Sequence, residues 1–331
     1  MGAVVASMER HFYERLKHWL VKGLTTSQRT NKILEVFSDE LAIKCSDFTS
    51  FEASLKHYLF SRVEARSFIE YGAKLEVPRD TQAVILCTLM SPQIYRGNGL
   101  EMIMEVMRAS GDSHTALMNA MQQIVANLFC YWRAENRFNG VSVEDFLNRE
   151  MSGEDAMRKI KMLVEGDDGL HCHSECEVIA SDYADLGISA DIQVRPSVYS
   201  SSFCGQVFST SKVLFYDPIK FLLRLGWAPG RYHGSSQRRL DSLLAAKCLS
   251  YMCTFTQCPL IYPVAHAIFT KIGKRVTMKD IDAVTSSYHR AADDFMAFQQ
   301  NIPEYDNDLQ TKVEYCAIYS YLNPASIDQI S

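Results

Sequence analysis

Four short constellations hold the residues able to do chemistry. Asp47 and Glu52 stand five apart in Asp-Phe-Thr-Ser-Phe-Glu. Asp47 ends an apolar run, and a strand end presents its side chain at a sheet edge, where a metal or ligand can reach it. The same spacing serves to cap a following helix, which is its commoner use. Ser110-Gly111 is followed by Thr115 and Asn119. Thr115 and Asn119 are four apart and share a helix face. Their hydroxyl and amide suit a sugar hydroxyl, and Gly111 lets the backbone approach a ligand closely. A polar stripe facing solvent fits this segment equally well. Gly166-Asp167-Asp168 lies between two apolar runs. Adjacent carboxylates repel unless a cation offsets the repulsion, and magnesium prefers one or two carboxylates plus substrate phosphates. Asp and Gly are also ordinary residues of exposed turns. Phe203-Cys204-Gly205 suits a turn pressed against a nucleic-acid backbone, or a plain core hairpin.

The elements that must position these residues follow from periodicity. Ser7–Leu20 reads as an amphipathic helix with Phe12, Leu16, Trp19 and Leu20 on one face. Thr25–Phe37 reads as a second, capped by Thr25, Thr26 or Ser27. Leu41–Asp47 is a strand, and Phe51–Tyr71 returns to helical spacing. Pro78, Pro92 and Arg96-Gly97-Asn98-Gly99 mark turns. Gly111–Trp132 is a long helix with Asp112 or Ser113 at its cap. Lys159–Glu165 and Leu170–Glu177 are strands joined by Gly166-Asp167-Asp168-Gly169, a hairpin signal. Ser181–Leu186 is helical and stops at Gly187. Tyr199–Phe208 and Val213–Tyr216 read as a second strand pair, and the chain is mostly helical after Asp217-Pro218. This order predicts an α+β fold with a small central sheet.

The chain has 331 residues, 47% of them apolar, and no repeat or low-complexity tract, which excludes disorder, collagen and coiled coil. A net charge of −5 argues against a surface that wraps nucleic acid everywhere. Resolved along the chain, Val141–Asp191 carries thirteen acids against four bases, whereas Ser201–Leu240 carries six bases against one acid. An acidic centre beside a basic flank suits a cation site next to a polyanion track; chance patchiness gives the same pattern. Ten dispersed cysteines and no secretory signal predict a reducing, intracellular setting. Two uncharged stretches, Ser113–Trp132 and Cys248–Thr270, hold too many amides or prolines for membrane spans and read as buried helices, the second broken by a turn.

The order of the four constellations narrows the reading. Asp47 to Ser110 is 63 residues, Ser110 to Gly166 is 56, and Gly166 to Cys204 is 38. In this order the sequence resembles the RNA-directed RNA polymerases of positive-strand RNA viruses. Asp47–Glu52 resembles their motif A, Ser110-Gly111 with Thr115 and Asn119 their motif B, Gly166-Asp167-Asp168 motif C, and Phe203-Cys204-Gly205 motif E. Ser-Gly-Asp in motif B, Phe-Cys in motif E and Val21-Lys-Gly-Leu-Thr25 resemble the tombusvirus and nodavirus-like groups. The motif resemblance covers roughly Val21–Gly205.

The resemblance implies a right-hand polymerase fold: fingers remnant 1–40, palm 41–60, fingers insertion 61–105, palm 106–215 and thumb 216–331. It implies two magnesium ions, with manganese as a substitute, held by Asp47 and Asp167 with Asp168 assisting. Glu52, Ser110, Gly111, Thr115 and Asn119 would select the ribose of the incoming nucleoside triphosphate, Phe203, Cys204 and Gly205 would support the primer end, and Lys212, Lys220, Arg224, Arg231, Arg238 and Arg239 would track the RNA backbone. Expected partners are template and product RNA, nucleoside triphosphates and other viral replication proteins. The expected place is the host cytoplasm, at membrane-associated replication sites reached through the replication complex.

Several positions depart from the family pattern. Glu52 stands where many relatives have Asp. Gly187–Gln193 lacks the lysine that often follows motif D, and Arg195 is the nearest cation. The 46 residues before Asp47 offer only Lys17, Lys22 and Arg29 toward the basic motif F, so the chain reads as the C-terminal part of a polymerase, possessing palm and thumb, with the fingers segment supplied elsewhere. A catalytically incomplete RNA-binding part of a replication complex is the alternative; a reverse transcriptase fits less well, because Ser110–Asn119 is the ribonucleotide-sensing pattern. His171-Cys172-His173 and Cys176 offer soft zinc ligands, but strand alternation turns the two histidines away from Cys172.

Overall fold

The computed structural model describes residues 2–40, 42–48, 51–54, 59–97, 99–104, 114–152, 157–228, 230–273, 275–284 and 289–328. Of Asp47 and Glu52 the backbone placement alone is described, and Ser110 and Gly111 lie outside the described residues. The protein is an α+β structure, 58% helical with small antiparallel sheets. It divides into two compact units, Met1–Lys22 with Asp39–Pro196, and Gly23–Ser38 with Ser197–Ser331.

Helix α1 (Gly2–Arg15) opens the first unit. It stops short of the expected Leu20, because the backbone there joins the sheet: Val164 N–H donates to Trp19 O at 2.8 Å and Leu20 bridges Val164 in parallel. Helix α2 (Thr26–Phe37) belongs to the second unit and begins with a capping box built by Thr25 and Gln28. Strand β1 (Ile43–Phe48) follows, then the short helix α3 (Phe51–Ser54). The helical spacing expected over 51–71 is interrupted by a π-helix at Phe60–Ala65 before α4 (Arg66–Lys74). Helix α5 (Arg79–Met90) leads to the hairpin β2 (Gln93–Gly97) and β3 (Leu100–Met104).

Helix α6 (Thr115–Asn139) runs seven residues past the expected Trp132, until Gly140 at φ +66° ends it and donates back to Asn136 O. Helix α7 (Val143–Glu150), capped by Ser142, precedes β4 (Ile160–Glu165) and β5 (Asp168–His173), the expected hairpin. After α8 (Ala180–Ala184) comes β6 (Ala190–Arg195), a strand passed over in the sequence although Ala190-Asp-Ile-Gln-Val-Arg195 alternates apolar and polar residues throughout. The four strands form an antiparallel sheet in the order β4-β5-β1-β6. Trp19, Phe48, Phe51, Tyr131, Phe146 and Tyr183 fill the core between sheet and helices.

In the second unit, the stretch Tyr199–Phe208 is not one strand. It folds back at Cys204-Gly205 into β7 (Ser202–Phe203) and β8 (Gln206–Phe208), and β9 (Leu214–Tyr216) completes a three-stranded sheet. Helices α9 (Pro218–Leu225), α10 (Gln237–Thr254), α11 (Ile261–Ile272) and α12 (Met278–Val284) follow, with three more to the C-terminal side. The uncharged stretch 248–270 is indeed two helices broken by a turn, with Gln257 and Leu260 at positive φ. Among the described residues no helix is long and apolar enough to cross a membrane, and no disulfide joins the cysteines.

Candidate functional site

The β4–β5 hairpin closes through the two-residue loop Gly166-Asp167, with Glu165 paired to Asp168. Gly166 sits at φ +66° with open space around it, so the turn needs its backbone freedom and nothing else. Gly169 is a glycine for a different reason. A Cβ there would lie 2.3 Å from Gln123 Nε2 and 2.7 Å from Ser46 Oγ. Helix α6 therefore comes as close to the hairpin as a side chain can, and Gln123 Nε2 donates to Ser46 Oγ at 2.9 Å.

Register gathers acids at this end of the sheet. Asp47 pairs with Asp191, and Ser46 pairs with Gly169. One step further along the same antiparallel register, position 47 stands level with Asp168. The sheet thus sets Glu165, Asp168, Asp47 and Asp191 at one level across four strands, with Asp167 at the hairpin tip. Asp191 is exposed, and Glu165, Asp167 and Asp168 are partly exposed. Like charges directly opposite one another destabilise a sheet. Carboxylates are the ligands magnesium takes, and the four strands spread these acids over about 14 Å, so acids on neighbouring strands, such as Asp47 and Asp168, are the ones placed to share an ion. Sequence reasoning passed over Glu165 and Asp191; the signal that could have found Asp191 is the apolar–polar alternation of Ala190–Arg195, which marks a strand.

Thr115 and Asn119 reach the same end from the other face. On α6 a row of polar residues recurs every fourth position: Asn119, Gln123, Asn127, Tyr131 and Glu135, all buried. Each of the last four meets a partner. Gln123 holds Ser46, Asn127 donates to Met162 Sδ at 3.1 Å and accepts from Tyr183 OH, Tyr131 OH is 2.8 Å from His171 Nδ1, and Glu135 is 2.7 Å from His173 Nε2. Four helical residues rise about 6 Å, and two strand residues about 6.6 Å, so Tyr131 and Glu135 meet His171 and His173 in step. The helix runs alongside β5, and its first turns, bearing Thr115 and Asn119, lie toward the acidic end. Pleat alternation places Asp168 on the face opposite Gly169, away from α6.

At the opposite end of the hairpin the charges close on themselves. Arg149 Nη1 donates to Glu135 Oε2 at 3.0 Å and its Nε to Glu150 Oε1 at 2.7 Å. Glu150 accepts the backbone N–H groups of Lys159 and Ile160. Burial pushes the Glu135 carboxyl up, and the hydrogen bonds from Arg149 and His173 more than reverse this, leaving it below the ordinary range. Burial holds His173 below its ordinary value against the pull of Glu135. Burial, with Lys44 nearby, lowers His171 to about 3.

Glu135, His173 and Cys176 bring three potential ligand atoms within 4.8 Å of one another. Their hydrogen bonds do not fit a metal. His173 Nδ1 accepts from the backbone N–H groups of Glu175 and Cys176, so its Nε2 carries the proton that faces Glu135. A metal on Nε2 would force a proton onto Nδ1, against two donors. Burial also raises the Cys176 thiol to about 12. As strand alternation predicts, His171 and His173 face Tyr131, whereas Cys172 faces Glu40.

The remaining sequence candidates lie elsewhere. Arg195 pairs with Ile43, four residues down β6 from Asp191 and about 13 Å from the acidic level. Phe203 is buried in the second unit, and Cys204 at φ 53° and Gly205 at φ 71° make its turn. Of the six bases there, Arg239 is paired with Asp280, and Arg231 donates to Ala283 O at 3.2 Å; both lie over the Tyr232 ring. Arg224 donates to Tyr216 OH at 3.1 Å, while Lys212, Lys220 and Arg238 are exposed.

No protein-family model matches this chain, and no curated protein matches it.

Proposed function

We propose that the first unit is the palm of a viral RNA-directed RNA polymerase and that the protein takes part in template-directed RNA synthesis. The observation that carries this reading is the register that levels Asp47 with Asp168 beside the Gly166-Asp167 turn, at the end toward which the Thr115–Asn119 turns point. Asp47, Asp167 and Asp168 would hold magnesium. Bound there, the metal would supply charge neutralisation and activation of a primer 3′-hydroxyl. The chain's own part is positioning. Gln123 and Ser46 fix α6 against Gly169, so the helix cannot slide along the hairpin. That fixes the first turns of α6, with Thr115 and Asn119, toward the acidic end of the sheet, where the ribose of a bound nucleotide would lie. Bases of the second unit would neutralise RNA phosphates.

The test is nucleotide incorporation on an RNA template by the full-length parent polymerase, with magnesium or manganese. Asp167→Ala is expected to abolish it, and incorporation at the unaltered rate by that variant would sink the assignment. Preference for ribonucleotides over deoxyribonucleotides separates it from a reverse transcriptase.

A further inference from the structure

We propose that the exposed face of α9, together with Trp227, docks on an anionic lipid surface. The helix buries a single strip, Pro218, Phe221 and Leu225. On its other side Ile219, Leu222 and Leu223 are 51%, 57% and 65% exposed, and Trp227 just beyond is 77% exposed. Positions 219, 222 and 223 are neighbours on one helix surface, and Trp227 continues the stripe by a further turn. Single exposed apolar residues are ordinary, but four in a row are not.

Charge identifies the occupant. Between Asp217 and Asp241 the chain carries five bases and no acid; Arg239 is paired with Asp280, and Lys220, Arg224 and Arg238 stand exposed. Lys220 and Arg224 stand on the same helix and are exposed. RNA phosphates would use these bases but give nothing to three aliphatic side chains. A bilayer interface uses both. Aliphatic groups enter the acyl boundary, Trp sits at the headgroup level, and Lys and Arg meet lipid phosphates. The surface is also pre-formed. Lys247 Nζ donates to Trp227 O at 2.9 Å and to Arg224 O, pinning the Trp227 loop to α10. Beside Trp227 a recess of about 240 Å³ opens between Leu240, Leu244 and Val284, with Asp241 and Lys247 also in its wall. The inference stands whichever chemistry the first unit performs, and it takes Lys220 and Arg224 out of the RNA track.

Vesicle flotation of the full chain tests it. Vesicles of phosphatidylcholine with one quarter phosphatidylserine should carry the protein upward, and pure phosphatidylcholine vesicles should carry at least tenfold less. Leu222→Glu with Leu223→Glu should cut flotation at least tenfold while the melting temperature stays unchanged, since both side chains are exposed. The protein has three tryptophans, of which only Trp227 is exposed. Its fluorescence should shift to the blue on anionic vesicles, and Trp227→Phe should remove the shift; this readout needs no charge variant. Flotation that survives the double substitution overturns the proposal. So does a wild type that stays at the bottom, an equal loss of binding to single-stranded RNA in the double variant, or a dimer in sedimentation that the same variant dissolves.

Discussion

At the turn of the β4–β5 hairpin, Glu165, Asp167 and Asp168 are partly exposed and stand level with two more acids, with no basic residue at the paired positions. About 17 Å away at the other end of the same hairpin, Glu135, Glu150 and His173 are fully buried beside an Arg149 that is 17% exposed, and each carboxylate is met by donors. Both ends concentrate charge. One closes its ledger internally and so gives up any capacity for a ligand. The other keeps its carboxylates where a cation from solution can meet them. Clustered titratable groups alone therefore do not mark a site; what separates the two is how far their carboxylates are withdrawn from water.

The largest effects should dissociate the two ends. Arg149→Ala leaves Glu135 and Glu150 buried without their cation and should cost about 3–5 kcal/mol of stability, read by urea unfolding. Asp167→Ala should leave the unfolding midpoint within about 0.5 kcal/mol of the wild type while abolishing incorporation by the parent polymerase. Equal stability losses in the two variants would erase the distinction.

Next in size is the effect on acid stability. His171 falls from 6.5 unfolded to about 3 folded, so the unfolded chain binds a proton that the folded chain refuses. Stability is therefore full above pH 6.5 and falls as pH drops from 6.5 toward about 3, with a slope of up to about 1.4 kcal/mol per pH unit. His173, also lowered, adds to the loss below its ordinary value. Glu135, lowered as well, contributes stability above the ordinary carboxylate range that is lost as pH falls through its folded value. His171→Gln should flatten the upper part of this profile in thermal melts, and an unchanged slope would refute the assignment.

Gly169→Ala should cost about 1–3 kcal/mol by overpacking Gln123 and Ser46. Smallest is Gly166→Ala, three residues away, where only the left-handed backbone is strained, at about 1 kcal/mol. The reverse ranking of these two glycines in chemical denaturation would show that α6 does not press on the hairpin.

Much of this was legible in the residues. The hairpin at Gly166-Asp167, the Thr25 cap and the opposed faces of His171 and Cys172 all follow from local pattern, because they depend on neighbours a few residues apart; the helix expected to run to Gly187 ends at Ala184, and Gly187 closes the turn after it. The polar row on α6 was visible as amides at 119, 123 and 127 but reads there only as a bar to membrane insertion. Its meaning depends on Ser46 and His171, far away in the chain. Strand β6 was legible in the strict alternation of Ala190–Arg195; its pairing with β1, more than 140 residues away in the chain, was not. The single strand expected over 199–208 failed at Cys204, a residue rarely found at positive φ.

The sequence by itself determined where turns and helix ends fall and that acids precede bases along the chain, since steric preferences and charge are properties of the residues themselves. Only the tertiary structure decided that Asp47 stands level with Asp168 and Asp191, more than a hundred residues away, and that Glu135 and His173 consume each other. Strand register and burial are set by packing between distant segments. Packing decides which carboxylates are buried inside the fold and which stay within reach of water.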